Sequence, residues 1–197
     1  MLKLNSLFRG VPLLLFILLS GCSQSDGYVT SDVETNEEPV VINGHTLPPK
    51  PDTKINNATL LGIDSNNNDV RDDVEIWIYQ TYKDKHPIYI DIAMQAGRAY
   101  KQVLETPERA REIHETVVNA PLYCASYYQY RKEKEGHTKF VNERIDAPVK
   151  NKYFNTKARK DVYWKYDNLL SGGSYTLPWL SEMKKFCDFN TSKYDKK

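Results

Sequence analysis

The sequence predicts an all-α protein: a single compact helical domain of five to seven helices behind a disordered N-terminal tether. Three observations support this prediction. Apolar residues recur at helical spacing through most of the chain from residue 72 onward. Proline and glycine stand between these stretches, where helices begin and end. Residues 23–51, which follow an apolar leader, are mostly polar and show neither a helical nor a sustained strand period.

Each predicted helix has an apolar stripe and residues typical of helix ends. Thr106-Pro107 and Asn155-Thr156 place capping residues before a helix, and Gly172 follows the end of one. Pro121 is expected to kink or interrupt the third helix. The predicted helices cover residues 72–82, 88–105, a third from 107 through the Pro121 interruption to about 135, 157–170 and 178–187.

Size and charge restrict the function. The chain has 197 residues, of which 40% are hydrophobic, enough for one domain with a sizeable core. The formal net charge is +1, from 27 basic and 26 acidic residues, and stays near zero without Lys3 and Arg9. This balance gives no reason to expect a nucleic-acid partner.

The first 22 residues have the three parts of a secretory signal. Lys3 and Arg9 precede an apolar run at residues 11–19, which is too short to span a bilayer as a stable helix. The run ends in Leu19-Ser20-Gly21-Cys22. This tetrapeptide resembles the lipobox of bacterial lipoproteins. The alternative is a plain signal peptide cut at another position.

The lipobox resemblance implies a lipid anchor. It implies that residues 1–21 are removed and that Cys22 becomes the acylated first residue, held stably in the membrane by several acyl chains. Ser23, rather than Asp, resembles the residue carried by lipoproteins sent to the outer membrane. The predicted partner is therefore the membrane, reached through the lipid on Cys22.

Residues 22–51 are predicted to form a flexible linker, ended by Pro48-Pro49-Lys50-Pro51. Val40-Val41-Ile42 resembles a strand but has no evident partner. His45 is interpreted as a solvated loop residue. The helical domain is expected to cover residues 52–190, and residues 191–197 are expected to form a mobile tail.

Residues 64–75 carry the strongest chemical signal. Their oxygen donors fall at positions 1, 3, 5, 7, 9 and 12 of a twelve-residue loop, where position 7 contributes its backbone carbonyl and position 12 a bidentate carboxylate. The loop resembles those of EF-hands, dockerins and thrombospondin type 3 repeats. The predicted Ca²⁺ ligands, in that order, are Asp64, Asn66, Asn68, Val70, Asp72 and Glu75.

Two residues depart from those families. Asp69 stands at position 6, where Gly is usual and where the sharp turn calls for positive φ. Arg71 stands at position 8, where paired EF-hands have an apolar residue, and no clear helix precedes the loop. A single loop followed by a helix is therefore expected, binding structural calcium with modest affinity, roughly 10⁻⁴ to 10⁻³ M. The alternative is an Asp- and Asn-rich helix cap that binds nothing.

Cys124 and Cys187 remain in the mature chain, and each lies on the apolar face of a predicted helix. In an oxidising compartment they predict one disulfide. Two buried free thiols are the alternative.

No catalytic motif is recognisable in the sequence. His114 lies near Glu112 and Glu115 and is interpreted as a histidine at the edge of the core, in preference to part of a metal or acid–base site. Trp77 and the tyrosines at 123, 127, 128 and 130 suit the core better than a glycan or peptide platform.

The leading functional hypothesis is a calcium-stabilised, lipid-anchored protein of the bacterial outer membrane. It would be a monomeric domain that binds or scaffolds an envelope protein or glycan. The alternatives are an envelope hydrolase whose site assembles only in the fold, and an inhibitor or immunity-type lipoprotein.

Overall fold

The computed structural model describes residues 38–134 and 143–194. The predicted signal peptide, Cys22, the linker up to residue 37 and residues 195–197 lie outside them. The all-α prediction is confirmed, because the only sheet among the described residues is one hairpin whose two strands have two residues each. Residues from Glu38 onward form a compact unit with its own hydrophobic core. No described helix is long and apolar enough to cross a membrane.

The described part of the chain contains a hairpin, seven α-helices, three short 3₁₀ helices and one π-helical turn. The hairpin strands are β1 (Val41–Ile42) and β2 (His45–Thr46). The α-helices are α1 (Thr53–Asn56), α2 (Asp72–Tyr82), α3 (Ile88–Glu105), α4 (Ala110–Ile113), α5 (Ala120–Lys134), α6 (Asp146–Tyr153) and α7 (Lys157–Leu170). The 3₁₀ helices are Pro107–Arg109, Leu180–Phe186 and Thr191–Tyr194, and the π-helical turn is His114–Val118.

The bounds of α2, α3 and α7 match the prediction, and the Thr156 side chain caps α7 by accepting the N–H of Arg159 at 3.2 Å. The predicted third helix is divided differently. A π-helical turn, in which Asn119 N–H donates to His114 O at 2.8 Å, separates α4 from α5. Pro121 then lies in the first turn of α5, where its missing N–H costs nothing. The last predicted helix is a 3₁₀ helix.

Helix α3 is the centre of the core. It contacts α2, α5, α6 and α7, and most of its residues are buried. Gly97 of α3 lies against Val70 of the 64–75 loop: a Cβ at position 97 would stand 2.9 Å from Val70 Cγ1. The fully buried Val70 therefore fixes the loop onto the central helix.

The prediction of a flexible linker up to residue 51 is wrong for residues 38–51. Val41 pairs with Thr46 and Ile42 with His45 in an antiparallel hairpin. The turn residues Asn43 and Gly44 have φ of 52° and 79°, as a two-residue hairpin turn requires. The strand thus finds its partner within its own hairpin, and Leu47 after it is buried.

The predicted mobile tail also differs from the structure. Tyr194, in the last 3₁₀ helix, is buried and donates its hydroxyl to Asp91 Oδ2 at 2.6 Å. The predicted cysteine pair is brought together upstream of it: the sulfurs of Cys124 and Cys187 are at disulfide-bonding distance, and their Cα atoms are 5.0 Å apart. This contact holds the Leu180–Phe186 helix, which ends just before Cys187, against α5.

Candidate functional site: the 64–75 loop

Short polar side chains curl the backbone of the loop. The carboxylate of Asp64 accepts the N–H groups of Asn68 at 3.1 Å and Asp69 at 2.9 Å. The side-chain oxygen of Asn66 accepts Asn68 N–H at 3.3 Å, and that of Asn68 accepts Val70 N–H at 2.9 Å. Asp and Asn favour such turns because their side chains bond backbone N–H groups a few residues ahead. The loop is therefore shaped by the residue types that would coordinate an ion.

The sharp turn at position 6 forms without glycine. Asp69 has a φ of 67° and Asn67 a φ of 56°, both in the left-handed region. Asp and Asn enter this region at lower cost than other non-glycine residues, since their side chains bond locally. The expectation of positive φ at Asp69 is confirmed. Its side chain is also engaged: Oδ1 accepts Lys101 Nζ at 2.5 Å.

Two carboxylates close the loop from its far end. Asp72 N–H donates to Ile63 O at 2.8 Å, and Asp72 Oδ1 accepts Ser65 N–H at 2.9 Å. Glu75, one turn into α2, returns over the loop. Its Oε2 accepts the side-chain amides of Asn66 at 3.1 Å and Asn68 at 2.6 Å. The side chains at positions 3, 5 and 12 therefore meet, as the spacing predicts.

The loop leaves a buried negative charge without full compensation. Asp72 is 1% exposed and Glu75 is fully buried. Asp72 Oδ2 has no hydrogen-bond partner. Burial raises the pKa of Asp72, and the charges of Asp64 and Glu75 add to that increase. An unpaired buried carboxylate oxygen is costly, and a cation at this point would satisfy it.

The donor set suits a hard cation. Carboxylates, amide oxygens and a backbone carbonyl are the ligands that calcium prefers, whereas zinc prefers His and Cys. Among the described residues, no group of three or more His, Cys, Asp or Glu is placed to hold a metal ion. An ion here would therefore depend on Asn66, Asn68 and the Val70 carbonyl as much as on the acids.

His45 was not identified from sequence, and its interpretation as a solvated loop residue is wrong. Its Nε2 lies 2.6 Å from Glu75 Oε1, and its ring stacks on Tyr79 with centroids 4.4 Å apart. The hairpin turn at Asn43-Gly44 is the signal that would have placed His45 on a strand. Its contact with a residue thirty positions away has no local signal.

Arg71, at position 8, anchors the loop to the helical domain. It is 1% exposed, and its Nε donates to Asp73 Oδ1 at 2.5 Å. Its Nη1 donates to the carbonyl of Tyr153 at 3.1 Å, and its guanidinium lies 4.9 Å from the centre of that ring. The partner of position 8 is thus α6 and not a second EF-hand. The four-residue α1 is the only helix described before the loop, so the motif is a single loop followed by a helix.

A second buried arginine supports the segment just before the loop. Arg159 of α7 is fully buried, and each of its five N–H donors is used. Burial, with the charge of Arg71, lowers its pKa to about 10, so it stays charged at neutral pH. Its hydrogen-bond acceptors are the carbonyls of Asn56, Thr59 and Leu60 and the side-chain oxygens of Asn57 and Asn155. We call Arg159 and these five residues the arginine cage.

The other sequence-predicted cluster is packed into the fold. His114 Nδ1 lies 2.7 Å from the hydroxyl of Tyr166, and the His114 and Tyr175 ring centres are 4.7 Å apart. Burial lowers the pKa of His114. Glu115 accepts the hydroxyl of Tyr123 at 2.5 Å, while Glu112 forms a surface ion pair with Arg109 instead. This geometry favours a core-edge histidine.

The predicted aromatic group also belongs mainly to the core. Tyr123, Tyr127 and Tyr128 are buried, and Trp77 packs edge-on against Tyr82. Tyr130 alone of the four predicted tyrosines is exposed. These residues do not form a common surface for a glycan or a peptide.

Comparison with protein-family models, with curated proteins and with solved structures gave no match.

Proposed function

We propose that the 64–75 loop binds one calcium ion and that the ion stabilises a helical domain anchored to the outer membrane through Cys22. One observation supports the calcium site most strongly. Asp72 Oδ2 is buried without a partner beside Asp64 and Glu75, in a loop that its own Asp and Asn side chains have already curled. The alternative, a helix cap that binds no ion, needs only one side-chain acceptor. It does not explain why Asp72 Oδ2 is buried without a partner.

The proposed ligands are the side-chain oxygens of Asp64, Asn66, Asn68, Asp72 and Glu75 and the carbonyl of Val70. Calcium supplies positive charge to carboxylates that otherwise repel one another. Glu75 would then exchange the amide donors of Asn66 and Asn68 for the ion, while its Oε1 stays within reach of His45. The loop joins the hairpin, α2 and α3 at one point, so its role is structural.

The anchor part of the proposal rests on the sequence. The lipobox at residues 19–22 supports acylation of Cys22, and Ser23 supports transport to the outer membrane. The domain is proposed to bind or scaffold an envelope protein or glycan, and Ca²⁺ is its proposed cofactor. This part does not depend on the calcium site, so it has a separate test.

Thermal unfolding with calcium and with chelator tests the calcium site. The midpoint is expected to rise with calcium in the wild type and to stay unchanged in Glu75→Gln, which removes the closing carboxylate. Glu105→Gln, an exposed acid at the end of α3, is the matched control and should keep the wild-type response. The proposal is wrong if chelator has no effect on the wild type and terbium luminescence shows no binding.

Mass spectrometry of the protein from membranes tests the anchor. An N-terminal peptide that begins with acylated Cys22 is expected in the wild type. Cys22→Ala should leave the protein unprocessed and free of lipid. A mature N terminus at any other residue would contradict the anchor and leave the calcium result unaffected.

A further inference from the structure

The segment between α7 and the Leu180–Phe186 helix displays the most exposed large apolar side chains described. Leu177 is 74% exposed and Trp179 is 81% exposed, with Tyr175 at 41%. Residues 171–180 contain no Lys, Arg, His, Asp or Glu. Large exposed apolar patches mark contact surfaces for proteins or membranes.

The segment is held at its base and exposed at its tip. Arg111 donates to the carbonyls of Leu169 at 3.1 Å and Ser171 at 3.1 Å. The Tyr175 ring lies against His114, and Gly172 turns the chain with a φ of 74°. Beyond these contacts the chain has no regular structure up to Leu180, and Leu177 and Trp179 lie in solvent. The base of the segment is therefore attached to the fold, while Leu177 and Trp179 remain exposed.

We propose that residues 171–180 insert Leu177 and Trp179 into the interfacial region of the lipid bilayer. Tryptophan and tyrosine favour this region because they combine an apolar ring with a polar group, and leucine adds apolar area that the acyl chains bury. Because residues 171–180 carry no charged side chain, insertion does not require the desolvation of a charge. The partner that we propose for residues 171–180 is therefore the lipid bilayer.

The proposed anchor places the segment within reach of the bilayer, so this step rests on the proposed function. Fifteen residues, 23–37, lie between Cys22 and the compact unit that begins at Glu38. A chain of that length reaches at most about 55 Å. A domain of this size has a diameter of about 40 Å, so any of its faces can meet the membrane. Tethering would also raise the effective concentration of the bilayer and so strengthen a contact that the two side chains form on their own.

Vesicle flotation of unacylated protein tests the segment independently of the anchor. The chain from Ser23 contains the whole described core and lacks the lipid. With vesicles of phosphatidylethanolamine and phosphatidylglycerol, this protein is expected to float. Leu177→Ser with Trp179→Ser should lower its partition coefficient at least about tenfold. The variant should fold normally, since both side chains are exposed, and circular dichroism checks this.

Trp164→Ser is the matched control. Trp164 is 60% exposed on α7 and lies outside the segment, so its loss should leave flotation unchanged. Brominated phospholipid should quench the emission of the wild type more than that of Trp179→Phe. The proposal is overturned if the wild type does not float, or if Trp164→Ser weakens binding as much as the double change. It is also overturned if the same two side chains mediate self-association or binding to soluble glycan fragments without vesicle binding.

Discussion

The arginine cage and the 64–75 loop are neighbouring regions, and each contains a buried charged side chain. They differ in whether that side chain has all its hydrogen-bond partners. Arg159 is a fully buried cation, and every one of its five donors has an acceptor within the chain. Asp72 is an almost fully buried anion, and its Oδ2 has no partner. The cage is complete without a ligand, whereas Asp72 Oδ2 in the loop has neither a donor nor a cation beside it. This difference locates the proposed ion.

Gly62 connects the two regions. Its φ is 72°, and a Cβ at this position would lie 2.3 Å from Cδ of Arg71 and 2.6 Å from Oδ1 of Asn56. Nη2 of Arg159 would be 3.0 Å away. Both buried arginines therefore lie close to the glycine backbone. The hydrogen bonds of the cage include none of the proposed calcium ligands.

Arg159→Met should have the largest effect, because it leaves three carbonyls and two amide oxygens without their donor. We expect the free energy of unfolding to fall by about 3 to 5 kcal/mol, by the same amount with and without calcium. Urea unfolding measures it. Lys160→Met, at the exposed neighbouring position, should change stability by less than about 0.5 kcal/mol. A loss in Arg159→Met that depends on calcium would show that the two regions are not independent.

Gly62→Ala should be the next most damaging change. The new Cβ would clash with the buried arginine side chains, and alanine would have to adopt the left-handed conformation of Gly62. The free energy of unfolding should fall by about 2 to 4 kcal/mol. Gly44→Ala separates the two causes, since its φ is 79° but nothing lies within 4 Å of the added Cβ. It should cost only about 1 to 2 kcal/mol. Equal losses in the two variants would exclude close packing as the reason for Gly62.

Asp72→Asn should have opposite effects in the two states of the loop. Without calcium it removes a buried, partly unpaired charge and keeps an acceptor for Ser65 N–H, so stability should hold or rise by up to about 1 kcal/mol. Calcium at ten times its dissociation constant should add about 1.4 kcal/mol to the wild type and less than half of that to the variant. Urea unfolding with calcium and with chelator measures both. A large loss in chelator would mean that Asp72 is structural without an ion.

The smallest expected effect concerns pH and lies outside both regions. Burial lowers the pKa of His114 and of His86 in the folded protein. Below the ordinary histidine pKa of about 6.5, the unfolded chain therefore binds protons that the folded chain resists. Stability should be constant above this pH and should fall as pH decreases below it. Urea midpoints across this range, with chelator present, should show a shallower fall in His114→Gln.

The sequence predicted what is encoded locally. The bounds of α2 and α7 follow from Asp72 in a first turn and from Thr156 as a cap, both within a few residues of the helix they start. The curl of the loop was predictable for the same reason, because the side chains of Asp64, Asn66 and Asn68 bond backbone groups at most five residues ahead.

Contacts between distant residues were not predictable. His45 and Glu75 are thirty positions apart, and Arg159 bonds carbonyls about a hundred positions earlier in the chain. No periodicity or cap marks such pairs, because they depend on how the helices pack. The π-helical turn at His114–Val118 was missed as well, since Pro121 predicted a break without giving its form.

The calcium claim is tested most directly by following the backbone amide resonances of isotope-labelled protein during titration with calcium. Saturable shifts confined to the amides of residues 64–75, of His45 and of the start of α2 are predicted, with half-saturation at roughly 10⁻⁴ to 10⁻³ M. The amides of the arginine cage should not move. An unchanged spectrum at several times that concentration, or shifts spread evenly over surface acids, would contradict the account.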